Sequence, residues 1–251
     1  MQFDVSLFRG TRCVTATVLA CAVAAPAHAQ DENSWDFTGF LYLWGASIGG
    51  ESTTGQSIDV SFSDLVENLD FGIMGSLEAR RNKWALFGDA IYLAVSDPRN
   101  ATVGPGIPAT ADIEVEGFVF TGGVGYDLFR TDRSHLNGFG GIRYINMSTD
   151  VNIAIPVGSR RLSDTLSNLD GVIGLRGFVD LSDRWQFGYY ADIGTGDSER
   201  TWQAAAKFDY DINERWTASF GYRHMSWDVD NSVTLSDISF SGPFAGAKYS
   251  F

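Results

Sequence analysis

Cysteine and histidine are scarce in this chain, which has two Cys and three His among 251 residues. Cys13, Cys21 and His28 all fall within the first 29 residues. The chain after residue 29 therefore has no thiol, which excludes a disulfide framework, a thiol nucleophile and a cysteine-ligated metal. Metal-ligand spacing, a P-loop and a dinucleotide fingerprint are also missing from the sequence, and we expect no cofactor and no metal.

Basic residues and long apolar runs are the next shortages. Lys and Arg total 18 against 31 Asp and Glu, so the formal net charge is −13. Nucleic-acid partners select basic surfaces, and we therefore expect none. After residue 29 no apolar run approaches the roughly 20 residues that a transmembrane helix needs, which excludes a helical membrane protein.

The N-terminal segment has the pattern of a secretory signal. Arg9 and Arg12 precede an apolar run over 13–25, and Ala27-His28-Ala29 is a small-residue cleavage site. We expect residues 1–29 to be a cleaved signal peptide and residues 30–251 to be one domain, because no Pro-, Ser- or Gly-rich linker divides them.

Alternation with a period of two runs through the rest of the chain. At the C-terminus, Tyr249 and Phe251 share one strand face and Lys248 lies on the other. The segments 185–193, 202–210 and 216–223 repeat this division between an apolar face and a charged or small face. Ten strands are predicted, roughly over 35–47, 70–81, 83–95, 113–130, 135–148, 169–181, 184–194, 200–211, 214–228 and 238–251.

Short polar turns alternate with longer connections along these strands. The longer connections are predicted at 48–69, 96–111, 149–168, 194–200 and 229–237, although Ile58-Val60-Phe62 and Val151-Ile153-Ile155 also alternate and could extend strands or form another hairpin. This asymmetry is typical of bacterial outer-membrane barrels, with the short turns in the periplasm. The predicted short turns are Arg81-Asn82-Lys83, Thr131-Asp132-Arg133-Ser134, Ser182-Asp183-Arg184 and Asn213-Glu214-Arg215.

The two faces decide between a soluble sandwich and a membrane barrel. A soluble sandwich would have to bury the charged face or expose the aromatic face to water. Unpaired buried charges cost several kcal/mol each. A barrel instead turns the apolar face to lipid and the charged face to its interior. We therefore predict an all-β fold, a transmembrane antiparallel up-and-down β-barrel of ten strands, with eight or twelve strands as alternatives.

Aromatic residues crowd the ends of the predicted strands, and three tryptophans follow a short turn directly. Such rings favour the membrane–water interface. The predicted interfacial aromatics are Trp35, Trp84, Trp185, Trp202, Trp216, Trp227 and Tyr249.

Four acids and six bases fall on the face predicted to line the interior. Such a balanced set favours ion pairs that close a narrow barrel, and a passage for small solutes lined by the same groups is the alternative. The predicted interior residues are Glu78, Arg80, Asp89, Arg143, Arg176, Asp192, Lys207, Asp209, Arg223 and Lys248.

One constellation permits an enzymatic hypothesis. His224, Ser226 and Asp228 alternate on the predicted outward face near the outer rim, as a base, a nucleophile and an orienting carboxylate would need. The His-x-Ser spacing resembles that of outer-membrane lipid A deacylases, which implies a lipid-directed hydrolase. Trp227 stands where those enzymes carry asparagine.

The C-terminus resembles the assembly signal of Gram-negative outer-membrane barrels through Gly246, Tyr249 and Phe251. Several stretches also resemble an uncharacterised family of proteobacterial outer-membrane β-barrel proteins: Tyr42-Leu43-Trp44, Asn68-Leu69-Asp70-Phe71, Gly141-Ile142-Arg143-Tyr144, Thr201-Trp202-Gln203 and Gly221-Tyr222-Arg223. The resemblance implies an outer-membrane location, contact with membrane lipid and lipopolysaccharide, and handling by periplasmic chaperones and the barrel assembly machinery.

The main functional prediction is a non-enzymatic outer-membrane barrel. It would have a structural role in the envelope or form a narrow, mostly closed pore for small solutes. The alternatives are the lipid hydrolase and a surface-binding module that uses the long acidic loops.

Overall fold

A computed structural model describes residues 34–52, 57–61, 63, 67–103, 107–155, 158–229 and 235–251. The predicted signal peptide lies outside these residues. Among the described residues, no helix has the length and apolar character to cross a membrane. The strands are β1 Asp36–Trp44, β2 Ser47–Ser52, β3 Ser57–Val60, β4 Leu69–Arg81, β5 Trp84–Val103, β6 Ile107–Arg130, β7 Ser134–Ile155, β8 Gly158–Asp180, β9 Trp185–Gly196, β10 Arg200–Asp211, β11 Trp216–Asp228 and β12 Leu235–Ser250.

Ten of these strands form a closed antiparallel barrel. β1 is followed in the sheet by β4 to β12 in sequence order, and β12 pairs with β1 to close the ring. At this seam Tyr42 lies opposite Gly246 and Phe40 opposite Lys248. The predicted all-β, up-and-down barrel of ten strands is confirmed.

The remaining two strands form a hairpin on the barrel rim. β2 continues along β12 where β1 ends, with Ser47 opposite Ser241, and β3 pairs back onto β2. Ile58 and Val60 belong to β3, so this alternating segment forms a further hairpin.

The predicted short turns join β4 to β5, β6 to β7, β8 to β9 and β10 to β11. Asn82, in the first of them, has a φ of 56°, a left-handed conformation that asparagine tolerates better than most residues. We call this rim of the barrel the turn end and the opposite rim the loop end.

Two predicted loops are wrong. Residues 96–103 and 107–111 belong to β5 and β6, and residues 149–155 and 158–168 belong to β7 and β8. These segments pair with each other, Asp97 with Ile113 and Asp150 with Ser163, and project beyond the barrel as a four-stranded sheet. Their acidic, Gly- and Pro-containing composition suggested loops, but cross-strand pairing satisfies the backbone. The connection predicted over 194–200 is also shorter, since β9 ends at Gly196 and β10 begins at Arg200.

The barrel exposes its apolar residues outward. Leu43 is 75% exposed and Ile173 is 68% exposed, while Tyr42 and Val172 beside them are buried. A continuous outward band of this kind has no partner within the chain and fits contact with acyl chains. Further members of the band are Phe37, Leu41, Phe71, Ile73, Leu77, Leu86, Phe118, Val124, Ile142, Leu169, Leu175, Val179, Ile193, Phe208, Phe220 and Tyr222.

Candidate functional site

The barrel interior is filled in three layers, which follow from where each strand places its inward residues. Charged groups lie nearest the turn end, a hydrogen-bonded ionic layer crosses the middle, and apolar side chains fill the loop-end half. The structure places the ten predicted interior residues in the first two of these layers. Their inward orientation follows from the strand alternation, because their neighbours in sequence face lipid.

Arg143 on β7 is the centre of the ionic layer. Its guanidinium is fully buried and pairs with the fully buried side chain of Asp192 on β9. It also donates to Thr201 Oγ1 at 3.1 Å, Gln203 Oε1 at 3.1 Å and Thr121 Oγ1 at 3.2 Å. All the partners lie on other strands, so this one side chain ties β6, β9 and β10 to β7.

Arg223 on β11 extends the layer across the barrel. It donates to Tyr42 Oη at 2.8 Å, to Asp89 Oδ1 at 2.9 Å and to Gln203 Oε1 at 3.1 Å. Tyr42 in turn donates to Asp89 Oδ2 at 2.9 Å. Gln203 therefore bridges the two arginines, and the network connects residues from seven of the ten strands.

Sequence reasoning found the charges of this layer but missed its neutral members. Thr121, Thr201, Gln203, Tyr42 and Tyr190 carry no charge and did not stand out by composition. Tyr190 donates to Asp192 Oδ2 at 2.6 Å. Tyr190, Thr201 and Gln203 lie an even number of residues from a predicted interior charge on their own strand, and this phase was the available signal.

An apolar plug fills the interior on the loop-end side of the ionic layer. Ile145, Met225 and Trp227 are 0% exposed. Trp227 packs edge-on against Phe240 at 5.8 Å between ring centroids, and its ring lies 5.8 Å from the Arg143 guanidinium carbon. We define the plug as these residues with Trp44, Met74, Ile91, Val119, Ile238 and Phe240.

Two charged clusters lie on the turn-end side. In the first, Glu78 pairs with Arg80 and with Arg176 Nη1 at 2.8 Å. In the second, Asp209 Oδ2 accepts from Lys248 at 2.6 Å and from Lys207 at 3.0 Å. Side-chain exposure here is 14% for Arg176, 28% for Glu78 and 30% for Lys207, against 0% for Arg143. The turn-end half is thus more open than the middle.

A third turn-end group is centred on His135, which follows one of the short turns. His135 is 1% exposed, with Nε2 at 2.6 Å from Asp127 Oδ1. Asn137 donates to the same oxygen at 3.1 Å, and Arg80 Nη1 lies 3.2 Å from His135 Nε2. His135 is buried because it lies at the start of β7 with its side chain on the inward face. No set of three or more His, Cys, Asp or Glu side chains in the described part of the chain is arranged to hold a metal.

The tryptophans after the turns pair with tyrosines on neighbouring strands. Trp84 lies 5.0 Å from Tyr126, Trp185 lies 4.9 Å from Tyr210 and Trp216 lies 4.8 Å from Tyr249, all between ring centroids. These rings form an outward girdle at the turn end, where Trp35 is also exposed. Trp202 faces outward nearer the loop end and packs on His224 at 4.4 Å.

Trp227 does not belong to such a girdle. The prediction that it lies at the membrane interface is wrong, because its side chain is fully buried in the plug. Its neighbours Ser226 and Asp228 face outward, so the alternation of β11 turns Trp227 inward. The prediction assigned Trp227 to the interface because it is an aromatic residue near a strand end, and it did not use the position of Trp227 in the alternation of β11.

The structure does not bring the proposed catalytic residues together. His224 Nδ1 lies 2.5 Å from Ser241 Oγ on β12, and Asp228 pairs with Arg200 at 2.7 Å. Within the described residues, Ser226 makes no side-chain hydrogen bond to either of them. Residues two apart on one strand face lie too far apart for direct contact, and the facing strand supplies the partners instead.

The projecting sheet carries its own ion pair outside the barrel. Arg161 lies with Nη2 3.0 Å from Asp150 Oδ2 and Nε 3.2 Å from Oδ1. The hydrogen bond from Arg161 lowers the pKa of the Asp150 carboxyl below its ordinary value, and the pKa of Arg161 is raised for the same reason.

The residues of the predicted C-terminal assembly signal lie at the barrel seam. A Cβ on Gly246 would fall 2.2 Å from Leu41 O and 2.6 Å from Tyr42 Cβ, so only glycine fits where β12 meets β1. The Phe251 backbone N–H donates to Phe37 O at 3.0 Å, and the Tyr249 and Phe251 rings lie 5.0 Å apart.

A closed up-and-down barrel with an outward apolar band and a filled interior defines the outer-membrane β-barrel class of fold. Residues 111–236, just over half of the 251, match the family described as "Protein of unknown function, DUF481". The chain belongs to this family. No curated protein matches it by sequence.

Several solved structures show similarity to the chain. The translocator domain of the autotransporter NalP from Neisseria meningitidis has a TM-score of 0.53 at 14% identity, covering 89% of this chain and 90% of that one. The attachment invasion locus protein Ail of Yersinia pestis gives 0.40 at 12%, covering 87% and 99%. The toluene transporter TodX of P. putida gives 0.34 at 12%, covering 88% and 90%.

Proposed function

We propose that this protein is a non-enzymatic barrel of the Gram-negative outer membrane, closed to solutes and structural in role. The short turns face the periplasm and the projecting sheet faces outward. The observation that carries the proposal is the double closure of the interior, in which the ionic layer and the apolar plug follow one another along the same axis.

Each closure is sufficient to stop a solute. The ionic layer joins seven strands through hydrogen-bonded side chains, among them the buried Arg143–Asp192 pair. The plug places Ile145, Met225 and Trp227, all 0% exposed, above it. Apolar interiors exclude water unless polar partners hold it, so we expect no continuous water path through the plug.

Thiol labelling tests closure and orientation together, since the chain after residue 29 has no cysteine of its own. Three single variants are compared in intact cells with a membrane-impermeant thiol reagent: Thr165→Cys on the projecting sheet, Ser76→Cys in the turn-end interior and Ser182→Cys in a short turn. We expect Thr165→Cys to react in intact cells. The other two should react only after the outer membrane is permeabilised.

Two outcomes contradict the proposal in different ways. Labelling of Ser76→Cys in intact cells, with Ser182→Cys still protected, would show an open path from outside. Labelling of Ser182→Cys but not Thr165→Cys would reverse the orientation. Planar-bilayer recording adds a direct check: the purified protein should give no discrete openings, while a general porin added to the same membrane does.

Surface binding is the second candidate, and the projecting sheet favours it. The pairing of the barrel strands β4 and β9 with this sheet ends at Leu69 and Gly196, and β5 to β8 continue beyond these residues. The extensions carry exposed acidic residues, including Glu114, Glu116 and Asp164. Deleting 100–109 together with 153–160 should leave the barrel assembled, as judged by heat-modifiable gel mobility. A binding role predicts that this variant no longer adheres to a host or envelope surface, and unchanged adhesion would exclude it.

A further inference from the structure

The turn-end half of the interior contains a cavity of about 400 Å³. Tyr42 and Arg223 of the ionic layer line it on one side, and Thr38, Gln186 and Lys248 line it near the turn end. Small-molecule sites span roughly 300–1,000 Å³, so this cavity has the size of a compact ligand. Because the ionic layer closes one side, access is from the turn end.

Positive charge predominates on the cavity wall. Glu78 and Asp89 are the carboxylates among its lining residues, and Asp209 lies behind the lysines with its side chain 2% exposed. A cavity with this excess attracts anions and repels cations, and low-dielectric walls strengthen the effect. The lining cations are Arg80, Arg176, Lys207, Arg223 and Lys248.

Arg176 has unused donor capacity. Its Nη1 binds Glu78 at 2.8 Å and its Nε donates to Asn137 Oδ1 at 3.3 Å. Its buried Nη2 has no hydrogen-bond partner among the described residues. The guanidinium carbon lies 4.0 Å from the centroid of the Phe87 ring, so the guanidinium packs against an apolar surface.

The two lysines also retain donors. Lys207 and Lys248 share one oxygen of Asp209, at 3.0 Å and 2.6 Å. An ammonium group has three donors, so a single shared carboxylate oxygen leaves capacity on both. Lys207 Nζ lies 5.7 Å from the Phe40 ring centroid, and Phe178 and Phe244 also line the cavity.

We infer that this cavity binds a small organic monocarboxylate with a compact apolar body, such as an aromatic ring. The carboxylate lies between Arg176 and the lysine pair, and the apolar body lies against Phe40 and Phe87. A fully hydrated inorganic anion would make no apolar contact with the aromatic walls. A neutral aromatic compound would leave the arginine and lysine donors without an acceptor. That the ligand enters from the periplasm rests on the orientation under the proposed function.

Equilibrium binding of 2-naphthoate to the protein in uncharged detergent micelles tests the inference. We expect saturable one-to-one binding that is about tenfold tighter than that of the neutral analogue 2-naphthalenemethanol, as one charge-assisted contact provides. The cationic 2-naphthylmethylamine should not bind saturably, and inorganic phosphate should not displace naphthoate. Equal affinity for the carboxylate and the alcohol, or no binding above partition into empty micelles, would overturn the inference.

A matched pair of variants locates the site. Lys207→Gln removes one lining cation while Asp209 keeps Lys248 and Ser219 as partners, so the barrel should still assemble. It should weaken naphthoate about tenfold and leave the alcohol unchanged. Arg184→Gln removes the same charge from an exposed turn, where Arg184 contacts Tyr210, and should change neither. Equal loss in both variants would indicate a general charge effect and contradict the site.

A third variant tests the aromatic wall. Phe87→Leu should weaken the carboxylate and the alcohol alike, because it removes the surface under the apolar body. Heat-modifiable mobility confirms that each variant is assembled before binding is measured. Binding in micelles does not depend on orientation or closure, so the thiol-labelling result and this result can fail separately.

Discussion

The two halves of the barrel interior are filled by different kinds of side chain. The loop-end half is packed with apolar side chains that are almost fully buried, including Ile145, Met225 and Trp227. The turn-end half holds charges that remain partly exposed, such as Arg176 and Lys207, around a cavity of about 400 Å³. Stability therefore concentrates in the loop-end half and the ionic layer, while capacity to hold a ligand lies in the turn-end half.

The ionic layer marks the boundary, and Arg143→Met should show the largest effect of any single change considered. Asp192 would lose its buried cation, and an uncompensated buried charge costs about 3–5 kcal/mol. The matched change Arg176→Met leaves Glu78 paired with Arg80 and should cost about 1 kcal/mol or less. Denaturant unfolding in detergent, followed by tryptophan fluorescence, measures both.

A double variant separates lost pairing from lost charge. Arg143→Met with Asp192→Leu removes both partners and should recover much of the stability, since apolar replacements of buried pairs are often neutral. A double variant as unstable as Arg143→Met alone would show that the hydrogen bonds to Thr201 and Gln203, rather than the buried charge, hold this layer.

Substitution in the plug should cause the next largest loss in the free energy of unfolding. Ile145→Ala removes a side chain that is 0% exposed and leaves a cavity, at a cost of about 2–5 kcal/mol. Ile173→Ala makes the same chemical change on the outward face, where the side chain is 68% exposed and acyl chains refill the space. Its cost should be about 1 kcal/mol or less. Equal free energies of unfolding for the two variants would contradict a packed plug.

Sequence reasoning anticipated one half of the interior better than the other. The charges of the middle and turn-end layers stood out because Lys, Arg, Asp and Glu on an alternating strand are unexpected. The plug did not, because Met225 and Trp227 on the inward face of β11 read as ordinary apolar residues near a strand end. At this end of β11 the inward face is apolar and the outward face carries His224, Ser226 and Asp228, which reverses the pattern that identified the interior elsewhere.

The lengths of the strands were also only partly predictable. The short turns were located because tight polar segments are local features, and Asn82 suits the conformation it adopts. The pairing of Asp97 with Ile113 or Asp150 with Ser163 depends on the partner strand and has no local signature. Tyr42, Gln203 and Tyr190 belong to the candidate site for the same non-local reason, since their partners lie on other strands.

Salt should distinguish the turn-end clusters from the ionic layer. The turn-end clusters are partly exposed, so raising the salt concentration from 0.05 M to 0.5 M screens them. The small destabilisation by Arg176→Met should shrink toward zero over this range. The larger effect of Arg143→Met should stay within about 0.5 kcal/mol of its low-salt value, because its side chain is 0% exposed. Parallel loss of both effects would place the ionic layer in contact with solvent.

The smallest effect is expected outside both halves, at the Asp150–Arg161 pair on the projecting sheet. The folded-state pKa of Asp150 is lowered, chiefly by its hydrogen bond with Arg161. The pair's contribution is therefore present above the unfolded pKa of Asp150 and is lost as the pH falls through the lower folded value. Asp150→Asn should leave the unfolding midpoint within error of the parent from pH 7 to pH 5, because exposed pairs contribute little. Any difference should narrow in acid below about pH 4. A large difference at pH 7 would show that the projecting sheet, and not only the barrel interior, sustains the fold.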